Sequence, residues 1–501
     1  MKRHLLPLFL LLFATAAFSQ SAADALKYSY LVPGGTARYL GAGGAFGALG
    51  AEFSTLSQNP AGLAMYRTDE LMFTPSIRFA NTDATVAGNG NPTLSESKSH
   101  FHFDNIGIVF NTNPGEGKWT TFNVGLGYNQ LANYNQGIYY TGNGAGTILN
   151  KWFDAAAIDA PSGNVDDLEP FTSRLASDVN AMYFQDNAWT YDFAGNTDAV
   201  IEHTQSITQS GTMNEMVLSF AGNYDEKLLI GATVGVPIVK YRLNGEYREL
   251  DPADNVDYFD ELTYTESLQT NGVGINFKFG VIYKASQAIR LGASFHSPTW
   301  LSLTDNFSNT FDYTYTDGGG SNSAQAVSPE GTSDYKLVTP WRASISGAVV
   351  FKKYGFLSAE VETVDYSANR YNFTSDIANT ANQLAETREN NAIQRQFRQT
   401  INVRIGGEAA LDNFRLRAGV NLLGKPYSDY RDPDDPATNV DNTGFNMAYT
   451  AGIGVRSESF FIDLGYRFRT GESTVSPYKK APVVETKNNI SDILLTLGFK
   501  F

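Results

Sequence analysis

Cysteine is absent from all 501 residues. Its absence excludes a disulfide framework, thiolate chemistry and a lipid-modified cysteine anchor. Histidine is scarce, with His4, His100, His102, His203 and His296 scattered and none in an H-E-x-x-H pair. No G-x-S-x-G elbow is present either, so the chain offers no zinc-hydrolase or serine-hydrolase constellation, and an enzyme is not expected. The same scarcity argues against haem, although one axial histidine would suffice to hold it. Lys and Arg number 37 against 52 Asp and Glu, a net charge of −15. A nucleic-acid partner, which needs clustered cations, is therefore excluded. Asp432, Asp434, Asp435 and Asp441 lack the D-x-[DN]-x-[DN]-G order of a calcium loop, so no metal and no cofactor are expected. After residue 20 no apolar run approaches the roughly 20 residues of a spanning helix. If this chain crosses a membrane, it crosses as strands.

What is present begins with an export leader. Lys2 and Arg3 precede an apolar core, Leu5–Phe13, and Ala17-Phe18-Ser19 forms a small-x-small cleavage site. Residues 1–19 read as a signal peptide cut before Gln20. Gly (46), Tyr (27) and Phe (33) are abundant, as lumen-facing and girdle positions of a barrel would use them. A secreted β-sandwich or propeller would also use them. The mean hydropathy of −0.26 does not separate these.

Periodicity does more. At the C-terminus Ile493, Leu495, Leu497, Phe499 and Phe501 alternate with Asp492, Thr496, Gly498 and Lys500, one apolar face and one polar face of a strand. Phe460–Arg469 repeats the scheme, as do 445–456, Ile401–Leu411, Phe414–Leu422, Trp341–Phe351, Gly355–Asp365, Val273–Tyr283, Ile289–Phe295, Met216–Tyr224 and Leu228–Ile238. Leu71–Phe79, Asn105–Phe110 and Phe122–Tyr128 are the earliest candidates. The reading is an all-β chain, a transmembrane antiparallel β-barrel of about 14 strands. Hydrocarbon admits strands only when a closed ring pairs every backbone group. Connections alternate between short turns and long loops near 80–100, 132–212, 242–271, 302–339, 367–398, 424–444 and 470–490. That asymmetry matches the periplasmic and extracellular sides of an outer-membrane barrel. In the longest loop Leu168, Phe171, Leu175, Val179 and Met182 recur at helical spacing. With Trp152, Phe153, Tyr183, Phe184 and Trp189 they form either the loop's own core or an apolar landing surface.

Residues 20–69 are not strand. Gly34, Gly35, Gly41, Gly43, Gly44, Gly47 and Gly50 precede Asn59-Pro60-Ala61-Gly62. In Gly41-Ala42-Gly43-Gly44-Ala45-Phe46 a phenylalanine replaces the third glycine of G-x-G-x-x-G, no strand precedes it and no G-K-[ST] occurs, so a nucleotide loop is rejected. Dense glycine permits close backbone packing, and Asn-Pro starts a turn. A compact plug within a barrel fits.

Three elements in order, Gly35-Thr36-Ala37-Arg38, Gly43-Gly44-Ala45-Phe46 and Asn59-Pro60-Ala61-Gly62-Leu63-Ala64, closely resemble the N-terminal hatch of the FadL/TodX family of outer-membrane transporters. Thr339-Pro340-Trp341-Arg342 opening one hairpin arm and Val364-Asp365-Tyr366-Ser367 closing the other extend the resemblance. It implies a fourteen-stranded barrel (70–501) around a hatch (20–69) in the outer membrane of a Gram-negative bacterium. It also implies passive uptake of long-chain fatty acids or other hydrophobic compounds. The loops capture the substrate, the lumen binds it, and a hatch shift releases it, sideways where a wall strand is kinked. By match to the motif Asn59, Pro60, Ala61, Gly43, Gly44 and Phe46 are the hatch positions. Gly125 and Gly127 in the third strand mark either the kink or packing against the plug.

The partners expected are the lipid bilayer, a hydrophobic small-molecule ligand and the barrel-assembly machinery, engaged through the Phe501 strand, with the chain a monomer. A structural or adhesive barrel whose loops bind a partner is the competing reading, and an open porin conflicts with the plug. Alternation places Lys278, Arg290, Arg342, Arg404, Arg415, Arg417, Arg456, Arg467 and Arg469 inward, with Glu360, Glu362, Glu408 and Asp463. Arg pairs with a carboxylate through two parallel hydrogen bonds. Most affinity for an alkyl chain comes from burial, at roughly 0.8 kcal/mol per CH₂. Arg342, Arg404, Arg417 and Lys278 are the substrate-binding candidates, against the alternative that inward charges mostly pair with each other.

Overall fold

Alternating side chains become a wall because each strand finds its neighbour in register. The computed structural model describes residues 20–501 apart from 89, 115–116, 374–379, 431–444 and 479–480. The leader of residues 1–19 and the Asp432–Asp441 cluster lie outside the described residues. Among the described residues fourteen antiparallel strands form the wall. They are Glu70–Val86, Thr93–Thr112, Trp119–Asn133 continuing as Gln136–Ala145, Val200–Tyr224, Leu228–Leu250, Phe259–Lys284, Ile289–His296 continuing as Trp300–Asp317, Gly331–Val338 continuing as Arg342–Val350, Gly355–Asp365, Gln399–Leu411, Phe414–Gly424, Phe445–Arg456, Phe460–Val475 and Val484–Lys500. The first and last strands pair from Glu70↔Lys500 to Val86↔Val484, which closes the ring. Closure removes the edges that the first and last strands would otherwise expose.

The outward row is apolar and uncovered. Leu495 and Ile462 are 38% and 43% exposed, while Asp492, Thr496 and Asp463 on the other face are buried. Trp119 stacks on Phe122 at the short-turn end of the wall, and Phe295 on Trp341 further along it, beside the break at Ser297–Thr299. An apolar exterior around a polar interior is the pattern of a barrel in lipid.

The strands run further toward the long-loop side than their apolar periodicity indicates. Much of 80–100, 242–271, 302–339 and 470–490, read above as loop, is paired strand. There the outward row turns polar while the ladder continues. Ser95 Oγ donates to Asp83 at 2.5 Å, and Ser97 Oγ to Asn81 at 2.6 Å. Thr339-Pro340 opens the arm Arg342–Val350 of a hairpin whose other arm, Gly355–Asp365, closes at Val364, paired to Arg342. The same dipeptide interrupts a longer strand beside the interruption at Ser297–Thr299, and Thr339 N donates to Thr299 O at 3.0 Å. Proline supplies no N–H to the ladder, so the two breaks sit together.

The longest connection, reduced to residues 146–199, holds the helices Leu149–Asp159 and Ser173–Asp178 and the hairpin Met182–Gln185 with Ala188–Tyr191. The helix expected over 168–182 is confined to Ser173–Asp178. Leu168, Leu175, Val179 and Met182 pack with Trp152 and Trp189 against Phe259 and Phe311 of the extended strands. They form the loop's own core, not a landing surface. A helix, Thr380–Gln396, occupies the connection around 367–398.

Inside the ring lies the N-terminal segment. It contains the helices Ala22–Ser29 and Ala37–Gly41 and the 3₁₀ turns Phe53–Ser57 and Pro60–Met65. Ser21 and Asp24 form a capping box on the first helix, the arrangement that satisfies two orphan N–H groups at once. Inward wall groups hold the segment from several sides. Asn123 Nδ2 donates to Leu63 O at 2.6 Å, Thr233 Oγ1 to Leu56 O at 2.9 Å and Thr450 Oγ1 to Gly41 O at 3.1 Å, and Ala37 N donates to Thr496 Oγ1 at 2.7 Å.

Candidate functional site

The hatch positions lie against two stretches of the wall and touch each other through Gln58, whose Nε2 donates to Gly44 O at 2.9 Å. Asn59 caps the turn Pro60–Met65, its Oδ1 accepting from Ala61 N at 3.2 Å. Its Nδ2 donates to Gly47 O at 2.6 Å and to Val281 O and Ala293 O at 3.3 Å. One side chain thus ties the plug to itself and to two wall strands. The wall is glycine where the turn approaches it. A Cβ at Gly231 would lie 2.4 Å from Pro60 O, and one at Gly292 2.2 Å from Gly47 O. Beside the tenth and eleventh strands Gly43 and Gly44 both adopt a φ of +69°, a left-handed conformation that glycine enters without penalty. Phe46 is fully buried between Tyr39 and Phe356, with the Arg38 guanidinium over its ring.

The four substrate-binding candidates are each matched to a buried carboxylate. Lys278 Nζ pairs with Glu215. Arg404 pairs with Glu360 at 2.6 Å and Glu362 at 3.4 Å, and Arg342 pairs with Glu362 at 3.3 Å. Arg417 pairs with Glu408 at 2.6 Å and Asp463 at 2.7 Å. The carboxylates reach the plug as well: Glu215 accepts from Ser57, Glu360 accepts from Gln58 and Gly47 N, and Arg342 donates to Ser29 O. Lys278, Arg342 and Arg404 also line a small cavity of about 60 Å³ beside the plug, together with His296 and Gln58. Arg417 is buried with its side chain closed off. Sequence reading placed these cations inward and gave pairing as the alternative. It missed Glu215 and the wall glycines Gly231, Gly280 and Gly292, whose inward parity in their strands was the available signal.

The wall itself is interrupted. The second and third strands pair only between Asn105↔Asn129 and Thr112↔Phe122. Beyond that point the third strand stays with the fourth, through Gln136↔Gln209 and onward. Asn129, Gln130, Leu131 and Ala132 are all buried in succession, as they are where a strand leaves the wall and enters the lumen. Thr93–Asp104 of the second strand therefore has no ladder partner on this side among the described residues. Side chains bridge the gap: Lys98 Nζ donates to Gln209 O at 2.9 Å, and Asn133 Nδ2 meets His102 Nε2 at 3.3 Å. Gly125 and Gly127 are not at this break. A Cβ at Gly125 would meet Leu56 Cδ2 at 2.5 Å and one at Gly127 would meet Phe53 Cζ at 2.5 Å, so both make room for the plug.

Against known proteins, a family model described as outer membrane protein transport protein (OMPP1/FadL/TodX) matches residues 179–476. The chain belongs to that family. Members of the OMPP1/FadL/TodX family are transport channels, not enzymes. Among solved structures, a Pseudomonas aeruginosa FadL homologue is 15% identical with a TM-score of 0.52, covering 94% of this chain and 99% of its own. The Pseudomonas putida toluene transporter TodX is 13% identical with a TM-score of 0.51, covering 94% of this chain and 99% of its own. At such identities the likeness is one of fold. No curated protein matches the chain. The barrel is an outer-membrane protein of the FadL/TodX type.

Proposed function

We propose that this barrel takes up hydrophobic, lipid-like molecules by passive diffusion, with long-chain fatty acids as the substrate class. In this reading residues 1–19 are removed on export, 20–69 form the hatch and 70–501 the barrel. Substrate enters among the outer loops, rests in the lumen and leaves when the hatch shifts, passing sideways through the wall. One observation carries the reading: the plug occupies the lumen where the wall ladder between the second and third strands stops at Asn105↔Asn129. An oily molecule leaving there meets hydrocarbon rather than water, which keeps its apolar surface covered.

The inward ion pairs take a different part. Lys278, Arg342, Arg404 and Arg417 act on the hatch and its wall, because each already has a buried acid as partner. Breaking a buried pair leaves an uncompensated charge, so these contacts fix where the hatch sits. Asn59, Pro60 and Ala61 form the turn that moves, seated on Gly231 and Gly280. Gly43, Gly44 and Phe46 form the fixed end.

Uptake of labelled palmitate by cells that depend on this chain tests the proposal, alongside liposome swelling with sugars. The proposal expects palmitate uptake that falls to background on deletion, and no sugar flux. Ready sugar flux, or palmitate uptake unchanged by deletion, would contradict it.

A further inference from the structure

The nine inward cations are alike in sequence and differ in the structure. Lys278, Arg342, Arg404, Arg415, Arg417, Arg456 and Arg467 each lie within ion-pair distance of a carboxylate. Arg290 donates to Leu49 O at 2.9 Å. Arg469 alone has no ion pair and no hydrogen bond among the described residues, and its Nε is closed off without an acceptor. It interacts electrostatically with Arg78, Arg467 and Asp492. Arg78 and Arg467 already share Asp492, at 2.7 and 2.9 Å. Two guanidinium groups thus share one carboxylate, and Arg469, two residues beyond Arg467 in the same strand, has none among the described residues.

Arg469 borders a chamber of about 370 Å³ behind the wall break, lined by Leu26, Val32, Ala132, Tyr134 and Ile490 among others. The chamber volume lies within the roughly 300–1,000 Å³ typical of small-molecule sites. The other two cations on its lining are neutralised, Lys27 by Asp24 at 2.6 Å and Arg78 by Asp492. A second space of about 250 Å³ shares Tyr30, Gln136, Asn446 and Arg469 with the first and extends along the thirteenth and fourteenth strands to Lys425. Glu472, which also lines it, is paired with Lys487 at 3.1 Å. Lys425 has no ion pair among the described residues. The combined space has walls of mixed character, apolar along Leu26, Val32, Ala132 and Tyr134 and polar along the thirteenth and fourteenth strands, with one unmatched cation midway and one toward the outer loops.

We propose that Arg469 is the head-group receptor of this chamber and takes the carboxylate of a singly charged amphiphile. This rests on the reading of the barrel as a transporter of long-chain fatty acids and names the residue that receives the acid group. Every other inward guanidinium named above has an oxygen acceptor from the chain; a ligand carboxylate completes the same pattern at the half-buried Arg469. The planar fork accepts it bidentately, and the alkyl chain lies along Leu26, Val32, Ala132 and Tyr134, toward the break in the third strand. Lys425 draws the anion inward from the loops. An uncharged aromatic hydrocarbon would leave Arg469 unmatched.

The test is equilibrium binding of palmitate, methyl palmitate and 1-hexadecanol to the purified full-length chain in detergent. Wild type is expected to bind palmitate at least about tenfold more tightly than methyl palmitate, a difference of one ion-paired contact. Arg469→Gln is expected to remove that preference and leave hexadecanol affinity unchanged, and Arg469→Lys to retain most of it. The methyl ester comparison needs no variant, so it stands even if Arg469→Gln does not fold. Equal affinity of wild type for acid and ester, or equal loss of palmitate and hexadecanol in Arg469→Gln, overturns the assignment and leaves transport intact. Binding of none of the three by wild type overturns the assignment together with the transport reading.

Discussion

A Cβ placed on Gly280 would lie 1.8 Å from Asn59 Oδ1. The wall glycine and the hatch asparagine therefore occupy one another's space, and neither is exchangeable alone. Gly280→Ala is expected to displace the hatch turn, at about 1–3 kcal/mol of strain. The readout is single-channel conductance in planar bilayers, where the variant shows openings that wild type lacks. Gly347→Ala is the control, because its Cβ would meet nothing nearer than Leu291 Cδ2 at 3.9 Å. Equal conductance of Gly280→Ala and Gly347→Ala would contradict the packing argument.

Asn59→Ala removes the donor shared by Gly47, Val281 and Ala293. A buried acceptor left unmatched costs about 1–3 kcal/mol. Because the wall ladder is untouched, the loss is local. Hydrogen exchange should quicken across residues 53–66 while the wall strands stay protected. Exchange that quickens throughout the barrel, or nowhere, would show that Asn59 does not hold the turn.

Lys278 and Glu215 are buried at 5% and 0% side-chain exposure. Removing one partner strands the other's charge, at about 3–5 kcal/mol, whereas an apolar pair of similar volume is near neutral. Lys278→Met and Glu215→Met are each expected to lower the thermal unfolding temperature in detergent. The double variant should recover much of that loss. Additive losses in the double variant would mean that the pair is not coupled.

Trp152 packs its edge against Tyr264 and Phe311, at centroid distances of 5.0 and 5.1 Å. Trp152→Ala is expected to loosen residues 146–199 by about 3–5 kcal/mol. Limited proteolysis should then cut that connection at protease concentrations that spare wild type, while the barrel keeps its resistance to heat in SDS. An uncut loop would place the loop's stability elsewhere.

The wall was legible because lipid enforces strict alternation: Ile462, Leu464 and Tyr466 face out at every second place. The plug was legible in Gly43, Gly44 and Asn59-Pro60, where turns and close approach demand those residue types. The outer strand extensions were not, because Ser95 with Asp83 and Ser97 with Asn81 satisfy each other in water and leave no apolar row. The break in the third strand carries no glycine or proline. It shows only as four buried residues in succession, Asn129–Ala132, which a single chain cannot reveal without knowing what they pack against. Arg469 was one inward cation among nine, and its difference lies in what other strands fail to bring to it. The helix Thr380–Gln396 escaped notice because its polar composition gives little periodicity; Ala385, Ala392 and Ile393 pack it beside Leu26, and Asn390 and Glu386 bond to the backbone of Tyr371 and Phe373.

The central claim is that cargo leaves through the wall between the second and third strands. The absence of native cysteine allows a clean test, in which His102→Cys and Asn133→Cys, whose native side chains meet across the gap at 3.3 Å, are joined by a short thiol-reactive crosslinker. Labelled palmitate uptake is then measured with the bridge closed and after its cleavage. The account predicts uptake blocked by the bridge and restored by cleavage, with either single cysteine variant unaffected by the reagent. Full uptake through the bridged barrel would contradict it.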